Sequence, residues 1–121
     1  YQSLSRGLGD VYKRQLADGV VPHGKNAAGS PGEIRQGLND YTGWFAGDPD
    51  MSGDYFGYDG PCPPWNDSLI HHYEFTVFAL AVARLDLPRG VDGSQAREAM
   101  ADHILASASV TGTYTLNQRL L

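Results

Sequence analysis

The chain has 121 residues, a formal net charge of -5 and a pI near 5.1, with 41% hydrophobic and 19% charged residues. That length holds one domain or a piece of one, and the apolar fraction excludes global disorder. The acidic balance and the lack of any Lys/Arg cluster argue against nucleic acid, and against an anionic membrane surface, as a partner.

Fifteen Gly and seven Pro, with seven Tyr, four Phe and two Trp, point to turns and strands rather than a helical bundle. The apolar run through Phe78–Ala83 is too short to span a bilayer, so no transmembrane segment is expected. The first residues lack the apolar segment of a secretory signal and no Met opens the chain, so this end does not read out the compartment. Cys62 stands alone, which excludes an intramolecular disulfide and slightly favours a cytoplasmic over a periplasmic location.

Tyr1–Gln15, YQSLSRGLGDVYKRQ, has no period of 2 or 3.6. It resembles the translated adapter sequence found at the ends of assembled sequencing reads. It is expected to be a non-native leader over residues 1–15, with residues 16–121 forming the domain proper. Arg6, Lys13 and Arg14 outnumber Asp10 there, so the remainder is more acidic than the total.

Leu16–Val21 reads as the end of a connection, Pro22–Pro31 as a loop, and Gly32–Asn39 as a weak turn or short helix. Asp40–Asp59 is glycine-rich yet carries Trp44, Phe45, Tyr55, Phe56 and Tyr58, which are expected to pack back onto a sheet. Within it Asp48-Pro49-Asp50 is a turn. Gly60-Pro61-Cys62-Pro63-Pro64 is stiff and extended, because each proline removes a donor and restricts the residue before it. Trp65–Ser68 then turns the chain.

Ile70–Val82, IHHYEFTVFALAV, is the clearest strand. The period of 2 puts His71, Tyr73, Phe75 and Val77 on one face and His72, Glu74, Thr76 and Phe78 on the other. Beyond the break at Leu85–Gly90, Asp92 and Gln95 form a capping-box-like start. Ala96, Ala99, Met100, His103 and Ile104 then recur at helical spacing, predicting a helix over Ser94–Ser107. Val110–Leu116 has the composition of a final strand.

The candidate chemistry is the proline loop followed by His71 and Tyr73. Two residues apart on a strand, they share a face at its polar end. An imidazole and a phenol side by side can both donate to one oxyanion. Gly60 allows close backbone approach. The same two side chains are also common packing residues, so spacing alone does not decide.

Gly57–Leu80, GYDGPCPPWNDSLIHHYEFTVFAL, resembles the second signature of the phosphatidylethanolamine-binding family, and more narrowly its bacterial, Raf-kinase-inhibitor-like branch. The family pattern is a Gly…Pro-Pro loop, a short turn, then His-Arg-Tyr opening a strand. Here these are Pro63-Pro64, His71 and Tyr73, with His72 in place of the commoner Arg. The likeness extends to Leu38–Asp59, Leu87-Pro88, Ala99-Met100, His103-Ile104-Leu105 and Gly112-Thr113-Tyr114, roughly Leu16 to Leu121 in all.

The resemblance implies a mainly β, sandwich-like fold with one or two helices and a shallow surface pocket for a small anion such as phosphate or a phospholipid headgroup. It places Gly60, Pro63, Pro64, His71 and Tyr73 in that pocket, without catalysis, metal or cofactor. The family's first signature, Asp-Pro-Asp-x-Pro followed by His-Trp, is absent. Asp48-Pro49-Asp50 lies in the wrong place and no His-Trp comes after it. The expectation is therefore the C-terminal part of the domain, with unpaired strand edges and a tendency to aggregate.

Three rival readings stand beside this one. Cys62 with His71 or His72 could form a hydrolase pair, but no helix N-terminus or adjacent base lowers the thiol pKa. His71, His72 and His103 could bind metal, but adjacent strand residues face opposite sides and no metal-ligand spacing occurs. The third rival is a regulatory protein–protein inhibitor module using the same surface. His103 itself reads as a satisfied residue in or near the core.

Overall fold

The computed structural model describes residues 2–3, 21–22, 24–25 and 34–121. Short strands β1 (Gln2–Ser3), β2 (Gly24–Lys25), β3 (Arg35–Gln36) and β4 (Tyr55–Phe56) pair as β1–β3 and β2–β4, both antiparallel. Helix α1 (Tyr41–Trp44) lies between β3 and β4. The long strands β5 (His71–Leu80) and β6 (Ile104–Tyr114) pair antiparallel, and helix α2 (Gly93–Met100) with a 3-10 turn (Ala101–His103) separates them. Strand residues outnumber helical ones, as the mainly β reading expects. Apart from Gln2–Ser3, the leader lies outside the described residues, as do residues 16–20, 23 and 26–33 of the segments read as connection, loop and weak turn or helix.

The chain divides into two units, Tyr1–Asp59 with Val82–Asp102, and Gly60–Ala81 with His103–Leu121. The first holds the buried apolar residues Tyr55, Phe56, Ala96 and Met100. The segment read as a weak turn or helix instead contains β3 and a bridge at Leu38, whose amide donates to the Val91 carbonyl at 2.8 Å. Gly37 makes that approach possible, because a Cβ there would stand 2.7 Å from the Val91 carbonyl oxygen.

The aromatic loop divides. Tyr41, Phe45 and Tyr55 cluster at centroid distances of 5.5–6.0 Å in tilted and edge-on arrangements, and the Tyr55 hydroxyl donates to the Met51 carbonyl. Trp44 and Tyr58 remain exposed, so for these two the burial expectation is corrected, although the Trp44 ring meets that of Tyr41 edge-on at 5.5 Å. Asp48 makes the expected turn, its carboxylate accepting from the amides of Asp50 and Met51 at 2.8 Å each. These two bonds hold the Asp48 carboxyl below its ordinary pKa.

The Asp92 capping box is present in full: the Asp92 side chain accepts from the Gln95 amide, and the Gln95 side chain accepts from the Asp92 amide. The helix it starts is shorter than its periodicity implies. α2 ends at Met100, and Ile104–Ser107 belong to β6, which also begins six residues earlier than the Val110 start read from composition. Pairing decides this: Leu80 opposes Ile104 and Ala79 opposes Ala106, so strand hydrogen bonds replace the helical ones. His103 accordingly sits in the 3-10 turn, half-buried, with its carbonyl accepting from the Ala81 amide.

In the second unit β5 keeps its predicted bounds to within two residues. The register His71↔Tyr114 through Ala79↔Ala106 sorts the faces. Phe75, Val77, Ala79, Ala106, Ala108 and Val110 share one face with His71, Tyr73 and Tyr114. Thr76 and Ser109 oppose each other on the other face, hydroxyl to hydroxyl at 2.7 Å. Phe75, Val77 and Val110 are all exposed. Among the described residues β5 and β6 pair only with each other, so each presents an open edge.

The exposed apolar face and the helix cap are each open to test. Val77→Lys places a charge on that face. It should reduce aggregation in light scattering while changing unfolding free energy by no more than about 0.5 kcal/mol. Asp92→Ala removes the cap and should cost about 1 kcal/mol in a denaturant melt.

Candidate functional site

The site is built on the first turn of β5 and the loop ahead of it. Gly60 opens the loop at φ +90, with open space where a side chain would stand. Glycine is needed there for its left-handed backbone rather than for close contact. Pro63 is buried, and Pro61, Cys62 and Pro64 are exposed. The Pro64 carbonyl accepts from the Asp67 amide at 3.2 Å, closing the Trp65–Ser68 turn.

Asp67 organises the start of β5. One carboxylate oxygen accepts from the Leu69 amide at 3.0 Å, and the other lies 2.7 Å from His71 Nε2. Its backbone carbonyl accepts from the side-chain amide of Asn117 at 2.8 Å. Asn117 is fixed in turn, its amide donating to the hydroxyl of buried Thr115 at 3.1 Å and its side-chain oxygen accepting from the Arg119 amide. The segment after β6 is thereby tied to the turn before β5. The His71 contact is the largest cause holding the Asp67 carboxyl below its ordinary value of 3.8, and the Leu69 amide bond is the second.

His71 and Tyr73 stand on one face with ring centroids 6.4 Å apart and planes 25° apart, stacked side by side. Both are half-buried. Tyr114 occupies the register position opposite His71, which puts a second phenol on the same face. His72 points to the other face, where it is exposed. The described hydrogen bonds connect Pro64 to His71 through Asp67, and none joins Gly60 to either ring.

Cys62 is a free, exposed thiol, and the His71 Nε2 atom is engaged with Asp67 rather than with sulfur. Among the described residues no group of three or more His, Cys, Asp or Glu side chains could hold a metal ion. Nor is any helix among them long and apolar enough to cross a membrane.

Sequence reasoning does not single out Asp67, Asn117 or Tyr114. The spacing of four between Asp67 and His71 is the available signal, hidden because Asp67 reads as a turn residue. Asn117 lies 50 residues from Asp67, and no local pattern connects them.

The sequence profile of the phosphatidylethanolamine-binding protein family matches residues 11–115. A Mycobacterium tuberculosis protein named "Putative lipoprotein LppC" is 46% identical over 107 residues, covering 88% of this chain and 47% of that protein. The UPF0098 protein of Aquifex aeolicus is 38% identical over 81 residues, 67% of this chain and 40% of its own. UPF0098 protein PH1269 of Pyrococcus horikoshii is 30% identical over 100 residues, 83% of this chain and 42% of its own. No solved structure gives a significant match. The chain belongs to the phosphatidylethanolamine-binding protein family, and it spans under half the length of these relatives.

The depressed Asp67 carboxyl has a consequence for stability. A folded-state pKa below the ordinary 3.8 stabilises the fold above that value, and this contribution disappears as pH falls through the folded value. Asp67→Asn removes the titrating group. The variant should therefore lose less stability than the wild type between neutral pH and about pH 3, in chemical melts run in parallel.

Proposed function

We propose that this chain is a Raf-kinase-inhibitor-like member of its family that binds a small anion, a phosphate or a phosphorylated headgroup, without catalysing a reaction. The observation that carries the reading is the half-buried pair of rings, His71 and Tyr73, side by side at 6.4 Å on one strand face. Each has a polar atom that can point at one oxyanion, and charge-assisted bonds of this kind are the strong ones. Pro63-Pro64 shapes the approach and Gly60 supplies the backbone bend at its start. Tyr114 adds a third polar group to the same face.

The reading is supported by the family match, which includes the whole proline loop and both rings. The bacterial relatives fit the bacterial branch. Binding rather than catalysis is favoured by the chemistry present. Among the described residues the free thiol has no hydrogen-bonded base, and the imidazole is paired with a carboxylate beside phenols rather than with a nucleophile.

Titration with inorganic phosphate and with glycerophosphoethanolamine in mildly acidic buffer, monitored by NMR shifts of the aromatic rings, tests this. His71→Ala removes a charge-assisted partner worth about 1.5–3 kcal/mol and should weaken binding by roughly tenfold or more. Tyr73→Phe removes a neutral donor and should weaken it by roughly two- to tenfold. Unchanged affinity in both variants, with both folded, would exclude this site.

A further inference from the structure

The contact between Asp67 and His71 determines which hydrogen the imidazole can offer. The Asp67 carboxyl is ionised at neutral pH, and an ionised carboxylate only accepts. The hydrogen in the 2.7 Å contact therefore sits on His71 Nε2. A neutral imidazole carries one hydrogen, so the other nitrogen, Nδ1, then presents a lone pair. A lone pair repels an oxyanion. Only the protonated ring, with a hydrogen on both nitrogens, can bond to Asp67 through Nε2 and to an anion through Nδ1 at once.

We propose that Asp67 is a positioning residue that makes anion capture by His71 conditional on protonation of the imidazole. The site admits a phosphate-type anion in acid and loses it as the ring becomes neutral. This rests on the anion-binding reading of the same site and adds its regulation.

The geometry suits such a role. Asp67 is fixed by the Leu69 amide on one carboxylate oxygen and by Asn117 on its backbone carbonyl, so the ring is held against a rigid acceptor. The groups that titrate around the ring are Asp67 from the turn, Tyr73 along the same strand face and Tyr114 from the opposed position on β6. Of these groups the imidazole is the one whose gain of a proton adds a donor at Nδ1.

The test uses two probes whose anionic groups do not titrate in that range. Sulfate is a bare anion, and glycerophosphoethanolamine carries a phosphodiester headgroup. At constant ionic strength, wild-type affinity should fall at least about tenfold from about pH 5.5 to about pH 8.5. In Asp67→Asn the side-chain amide can donate to Nε2, which moves the hydrogen of the neutral ring to Nδ1 and frees it for the anion. That variant should vary less than about threefold over the same span and should bind more tightly than the wild type at the alkaline end.

Preference for glycerophosphoethanolamine over sulfate identifies a headgroup ligand and equal affinity a simple anion, and either supports the switch if the pH dependence holds. Nitrogen-15 shifts of the wild-type histidine need no variant and should show the neutral His71 ring with its hydrogen on Nε2. A hydrogen on Nδ1, or pH-independent binding that His71→Ala abolishes, overturns the switch and leaves the anion site standing. No binding of either probe at any pH overturns both.

Discussion

The antiparallel ladder between β5 and β6 is the constraint on which the site depends. Its register sets His71 against Tyr114 and, two residues on, Tyr73 against Gly112. Because side chains alternate, a slip of one residue would send His71 and Tyr73 to the opposite face and bring His72 and Glu74 in their place. The small residue opposite Tyr73 leaves room beside its ring, and the two phenols flank the imidazole from its own strand and from the neighbouring one. One face of a two-stranded ladder thus carries apolar residues along most of its length and three polar-tipped rings at one end.

The ring end is held by a chain of local and distant bonds. The Pro64 carbonyl closes the turn that contains Asp67, Asp67 holds His71, and Asn117 reaches back from beyond β6 to hold Asp67. The buried Thr115 hydroxyl fixes Asn117. The hydrogen bonds that run from the proline loop to the imidazole thus pass through the Asp67 carboxylate. That carboxylate also selects the hydrogen the ring can give away, which links shape to ionisation.

Much of this was legible in the sequence. Ile70–Val82 has the composition of a strand, and its period of 2 let the faces of β5 be read residue by residue although both turn apolar toward its end, and Asp92 with Gln95 announced the start of α2. The family was legible from the proline loop and the His-x-Tyr beyond it. The end of α2 was not, because Ala96 through Ile104 keep helical spacing and the stretch Leu105–Val110 is made largely of Ala and Ser, which carry little strand preference. There the partner strand decided, and pairing is a property of two segments rather than one. The role of Asp67 was hidden for a similar reason: its turn chemistry is local and visible, whereas its hold on His71 depends on how the turn delivers the strand.

The central claim is that His71, oriented by Asp67, and Tyr73 together hold a phosphate-type anion. A crystal structure grown in mildly acidic glycerophosphoethanolamine tests it most directly. Capture by this pair places the phosphodiester within hydrogen-bond distance of His71 Nδ1 and the Tyr73 hydroxyl, with Nε2 still on Asp67. A phosphodiester bound elsewhere, or one that takes Nε2 and displaces Asp67, would contradict it.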